Sequence, residues 1–166
     1  KVFQVRSSGG IQVTDHQRVL ITGGASGIGR AMAEAFLAAG ASVHVADLEG
    51  EPPNGCSLTT VDVSDADGVD SLFDDVVAHM GGLDVLCANV GITGPVGPVE
   101  SLNVEDWDLT MSVNVRSAFL CCRRAIPLLR EAGGGSILLT SSTAGITGLP
   151  MRSPYSASKH ALIGLS

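Results

Sequence analysis

Tyr155 and Lys159 stand four residues apart in the run Tyr155-Ser-Ala-Ser-Lys159, so a helix there places both side chains on one face. A free phenol titrates near about 10 and is a poor base at neutral pH. A neighbouring ammonium stabilises the phenolate and suits it to proton transfer at a substrate oxygen. Any helix-surface pair can show the same spacing, so alone it leaves both readings open. A second centre is Thr22-Gly-Gly-Ala-Ser-Gly-Ile-Gly29. A phosphate at a helix N-terminus needs bare backbone amides, and glycines at 23, 27 and 29 leave that room. A tight strand-to-helix turn would use the same glycines. Asp47 follows Gly27 by 20 residues and closes an apolar run. A carboxylate there either accepts hydrogen bonds from a ribose diol and repels a 2′-phosphate, or simply ends a strand. Asn114 interrupts the apolar stripe Trp107, Met111, Val115, Ala118, Phe119 and Cys122. A polar side chain on such a stripe needs a partner.

These groups must be held by an alternating frame. Apolar strand-like runs at Arg18–Thr22, Ser42–Ala46, Leu58–Val61, Leu83–Cys87 and Ser136–Thr140 alternate with helical patterns. Gly27–Ala39 is alanine-rich and closed by Gly40. Ser64 with Asp67 resembles a capping box and precedes Val69, Leu72, Phe73, Val76, Val77 and Met80 on one helical face. Glu105–Arg130 reads as one long helix bent or loosened at Pro127, and a last helix starts near Tyr155. Such alternation predicts right-handed crossovers and a parallel sheet covered on both faces, a doubly wound α/β domain.

The spacing T-G-x-x-x-G-x-G resembles the glycine motif of the short-chain dehydrogenase/reductase family, and the match runs in order from Arg18 to Ser166. The resemblance implies a Rossmann domain over residues 18–166, while residues 1–17 themselves read as a loose polar leader with a Gly9-Gly10 break. It implies cofactor contacts from Gly23, Ser26, Gly27, Ile28, Gly29, Asp47 and Leu48. Val61-Asp62-Val63 resembles the strand end that holds an adenine ring, implying Asp62 and Val63. Asn89-Val90-Gly91 resembles the tail of the family's N-N-A-G segment, implying Asn89 and Gly91 beside the cofactor ribose; read alone, Asn89 is equally a turn residue. Ser142 precedes Tyr155 by 13 residues, the family's interval. Asn114, Ser142, Tyr155 and Lys159 are thus the implied catalytic set. Ser142 and Tyr155 take the substrate oxygen, and Tyr155 and Lys159 also touch the cofactor. Ser141 competes with Ser142 but sits one register step away. The family's matching Asn kinks its helix and holds a relay water, although Asn114 also reads as a satisfied structural residue.

The implied activity is hydride transfer between NAD(H), rather than NADP(H), and a secondary alcohol or ketone. Family members commonly assemble as dimers or tetramers through the long helix, implying a homo-oligomer. No basic segment followed by an apolar run opens the sequence, so a cytoplasmic protein is expected. A nucleotide-binding regulatory or structural protein without turnover is the alternative. The sequence departs from the pattern at Ala88 and Val90, which replace the first Asn and the Ala of N-N-A-G. Glu49–Gly55 leaves no room for a full crossover helix, so either a short loop serves there or residues are missing. The sequence stops at Ser166 inside its last helix, where family members continue with two more strands and the segment covering substrate. The sheet is therefore expected to end on an unprotected edge.

The 166 residues are 45% hydrophobic and 16% charged, against about 25% charged in an average domain, which excludes a disordered chain. Ten Lys+Arg against 17 Asp+Glu, net −7, offers no basic face for nucleic acid. The longest uncharged stretch, Ala132–Met151, is too rich in Gly, Ser and Thr to cross a membrane. Cys56, Cys87, Cys121 and Cys122 form no CxxC and lack a nearby histidine pair. They read as buried hydrophobes rather than redox groups, and no metal site is expected.

Overall fold

The computed structural model describes residues 2–5 and 16–166. Strands β2 (Arg18–Thr22), β3 (Ser42–Asp47), β4 (Ser57–Thr60), β5 (Val85–Ala88) and β6 (Gly135–Leu139) pair in parallel. The sheet order is β1-β6-β5-β2-β3-β4, where β1 (Val2–Val5) lies antiparallel on β6. That strand corrects two expectations. Val2–Val5 is a sheet element and not part of a loose leader, and it occupies the edge of β6 expected to be bare. The Gly9-Gly10 break lies outside the described residues.

Helices cover both faces because each strand carries apolar residues on both. On one side α1 (Gly27–Ala38) lays Met32, Ala33, Phe36 and Leu37 over Val19, Ile21, Val43 and Val45. On the other, α2 (Ala66–Met80) and α4 (Ser117–Glu131) enclose Leu20, Ala46, Leu86 and Leu139. Burial on α2 falls on Val69, Leu72, Phe73 and Val76; Val77, expected on that face, is exposed. Its N-cap is Asp65, accepting from the Gly68 amide at 2.8 Å, and not Ser64. The β3–β4 connection spans residues 48–56 without a helix, yet register holds from His44 opposite Ser57 to Asp47 opposite Thr60. The short loop suffices.

The expected helix at Glu105–Arg130 is divided. It runs as α3 (Val104–Met111), a π-turn over Ser112–Arg116 and α4, while Pro127 sits inside α4. A π-turn inserts one extra residue, so the faces before and after it fall out of register. Asn114, Ala118 and Cys122 are therefore buried, whereas Trp107 and Phe119 of the expected stripe are 38% and 51% exposed.

His44 is fully buried between β4 and α2. Its Nδ1 pairs with Ser57 Oγ at 2.7 Å and its Nε2 with Thr59 Oγ1 at 2.9 Å. Thr59 in turn donates to Asp75 at 2.8 Å. Burial, with the nearby His79 adding to it, lowers the His44 pKa from 6.5 to about 4. The unfolded chain binds this proton near 6.5 and the folded chain only near 4, so the fold loses stability as pH drops through that window. The loss reaches about 3 kcal/mol below pH 4. Urea midpoints at pH 7 and 4.5 should differ clearly in the wild type and less in His44→Val. Equal acid losses in both proteins would rule His44 out as the cause.

Candidate functional site

The strand order reverses between β2 and β5, and in a doubly wound sheet the crevice opens above the strand ends at such a point. A cleft of about 540 Å³ lies there. Gly23, Ser26, Gly27 and Ile28 wall it at the start of α1, Asp47 at the end of β3, and Asn89 and Gly91 after β5. Ser142, Tyr155 and Lys159 close the far side. A hollow of about 310 Å³ continues from it past Asp47, lined by Leu48, Asp62 and Val63. Gly29 lies beneath the turn instead of on its surface. The four residues Asn114, Ser142, Tyr155 and Lys159 come from three elements, and the fold brings them to one end of the sheet.

The glycine turn fits a phosphate group. Ser26 caps α1 without a side-chain hydrogen bond, which leaves the first amides of that helix free. A Cβ at Gly27 would meet nothing within 4 Å, so the space above it is open. A Cβ at Gly29 would stand 2.0 Å from Gly23 O, so only glycine lets β2 and α1 approach this closely. Asp47 Oδ2 accepts from the Ala25 amide at 3.0 Å and Oδ1 from the Leu48 amide at 2.9 Å. The carboxylate is held against the turn with lone pairs to spare for a diol. Among the described residues no basic side chain lines the hollow it faces.

Asn89 is fastened by the buried Thr22, whose Oγ1 accepts from the Asn89 amide at 3.0 Å and the Val90 amide at 3.3 Å. Thr140 donates to Asn89 Oδ1 at 3.2 Å. Thr22 ends β2 and opens the glycine motif, while Thr140 directly follows β6 and carries no other signal in the sequence. In α5 (Ser153–Leu165), Lys159 is 4% exposed and donates to Thr140 O at 2.8 Å. Burial pushes its pKa below the usual lysine value. Its Nζ lies 5.7 Å from the centre of the Tyr155 ring. Ser142 begins a short 3₁₀ turn and accepts from the Ala144 amide at 3.2 Å. Ser141 lines the same cleft, and its hydroxyl donates to Lys159 O at 2.8 Å.

Asn114 is fully buried within the π-turn. Its Oδ1 accepts from the Ile92 amide at 2.7 Å, and its Nδ2 donates to Ile92 O and to Ser158 Oγ, each at 2.9 Å. Both Asn114 Oδ1 and Lys159 Nζ lie within 3.3 Å of the point a Gly91 Cβ would occupy. Both groups thus crowd the same side of Gly91. The thiols have no comparable setting: burial pushes Cys87 and Cys121 up to about 12 and Cys122 to about 11. All four cysteines are free. Among the described residues no helix is long and apolar enough to cross a membrane, and no group of three metal-ligating side chains converges.

Comparison with known proteins places these features in context. The family described as short chain dehydrogenase matches residues 17–166. Levodione reductase of Leifsonia aquatica is 36% identical over 89% of this chain and 60% of its own length. The 3beta-hydroxysteroid dehydrogenase of Mediterraneibacter gnavus is 38% identical over 92% of this chain and 59% of its own. A crystal structure of levodione reductase superposes with a TM-score of 0.85 at 34% identity, covering 91% of this chain and 64% of that one. The chain spans about three fifths of the length of these curated relatives.

Proposed function

The chain belongs to the short-chain dehydrogenase/reductase family, and on that premise we propose that it carries the cofactor site and proton-transfer groups of an NAD-dependent oxidoreductase interconverting a secondary alcohol and a ketone. One observation carries this reading: a single cleft joins the open glycine turn to Ser142, Tyr155 and Lys159.

Nicotinamide supplies hydride chemistry when bound. The amides of Gly27 and Ile28 bind the pyrophosphate, helped by the positive end of α1, while Gly29 lets the turn pack closely on β2. Asp47 accepts from the adenosine ribose, while Leu48, Asp62 and Val63 flank the adenine. Gly23, Ser26, Asn89 and Gly91 line the path between them. Ser142 holds the substrate oxygen, and Tyr155 takes or gives the proton at its phenolic oxygen. Lys159 binds the nicotinamide ribose, with its Nζ 5.7 Å from the centre of the Tyr155 ring. Asn114 completes the relay by holding a water beside Lys159, which the closeness of both groups to Gly91 supports.

A small-molecule alcohol or ketone is the partner in this reading, and the protein is a cytoplasmic homo-oligomer, dimer or tetramer. Exposed Val104, Leu109 and Phe119 on α3 and α4 support self-association. The test is absorbance of reduced nicotinamide during incubation of the purified protein with NAD and a panel of secondary alcohols. NAD-dependent growth of that band is expected. Tight cofactor binding without turnover on any alcohol or ketone would favour the regulatory alternative.

A further inference from the structure

The hydrogen bonds around Asn114 lead to a residue that the reaction itself does not need. Ser158 is fully buried, one residue before Lys159, so its hydroxyl reaches neither solvent nor the cleft. It accepts from Asn114 Nδ2 at 2.9 Å and donates to Tyr155 O at 2.8 Å. These two bonds join the π-turn of one helix to the first turn of another, across 44 positions of sequence. We infer that Ser158 is a positioning residue, whose hydroxyl sets the placement of Tyr155 against Asn114 and the loop at Ile92. The inference rests on Tyr155 being the acid/base.

The chemistry of the site favours this over a filler role. Asn114 has two amide hydrogens and buried surroundings, and Ile92 O takes one of them. The other needs an acceptor, because an orphaned buried donor costs a full desolvation penalty. Ser158 provides it from the helix that carries Tyr155 and Lys159. Ser141 holds the same helix independently through Lys159 O, so α5 stays docked when the Ser158 hydroxyl is removed. What changes is the angle at which its first turn is held.

The experiment compares wild type, Ser158→Ala and a control, Val76→Ala, which creates a buried defect in α2 away from the site. Ser158→Ala should lower kcat about tenfold while KM for NAD stays within about twofold. Val76→Ala should lower the melting temperature and leave both kinetic constants alone. Tyr155 is the chain's single tyrosine, so its phenolate absorbance can be titrated in this chain without any substrate. Ser158→Ala should displace that titration and Val76→Ala should not. A lowered melting temperature with unchanged kcat and unchanged titration would overturn the inference. If no alcohol is oxidised by wild type, the titration still decides the role of Ser158, and only the functional reading fails. Should Ser158→Ala not fold, Ser158→Cys keeps a weak donor of similar size and serves the same comparison.

Discussion

Tyr155→Phe should lower kcat by about a thousandfold and leave NADH affinity within about twofold. The substitution removes one oxygen from a half-buried ring that lines the cleft, so packing against α5 is little changed. In the proposed reading the glycine turn and Asp47, on the opposite side of the cleft, supply most of the cofactor affinity. What is lost is proton transfer, whose contribution is about 10²–10⁴ in rate. Stopped turnover with intact NADH binding, read by fluorescence titration and initial rates, is the expected pair of results. A variant retaining most of its kcat would remove Tyr155 from the acid/base role.

The second large effect concerns cofactor choice. Two backbone amides hold Asp47 in place, so its charge cannot swing away from an added 2′-phosphate. Like charges brought together in this way cost several kcal/mol. Wild type is therefore expected to favour NAD over NADP by about a hundredfold in kcat/KM. Asp47→Ala combined with Leu48→Arg removes the repulsion and adds a cation on the exposed side chain next to it. The preference should narrow or reverse in that variant. Wild-type kcat/KM values that favour NADP would overturn the assignment.

The features legible in the residue order were those whose partners lie close in the chain. The glycine turn, Asp47 at a strand end, and Tyr155 with Lys159 one helical turn apart each occupy a short stretch. Helix and strand periodicity also repeats every few residues, so the alternating frame and its five parallel strands could be read directly. Even the missing crossover between β3 and β4 was visible as a segment too short for a helix.

Tertiary structure decided the rest, where competing local signals were settled by distant partners. Pro127 was the obvious breaker, yet the long helix is interrupted at Ser112–Arg116, where Ile92 and Ser158 claim the Asn114 amide. The π-turn then moved Trp107 and Phe119 out of the buried stripe, a shift that no uniform helical period can foresee. Val2–Val5 is rich in β-forming residues but too short to be assigned alone, and it becomes a strand through its pairing with Leu138–Gly135. Thr140 and Ser158 have ordinary residue types, and their roles follow from which groups the fold sets beside them. The physical reason is the same in each case. A buried hydrogen bond gains its value from desolvation, and desolvation is a property of the packed chain and not of the segment that supplies the donor.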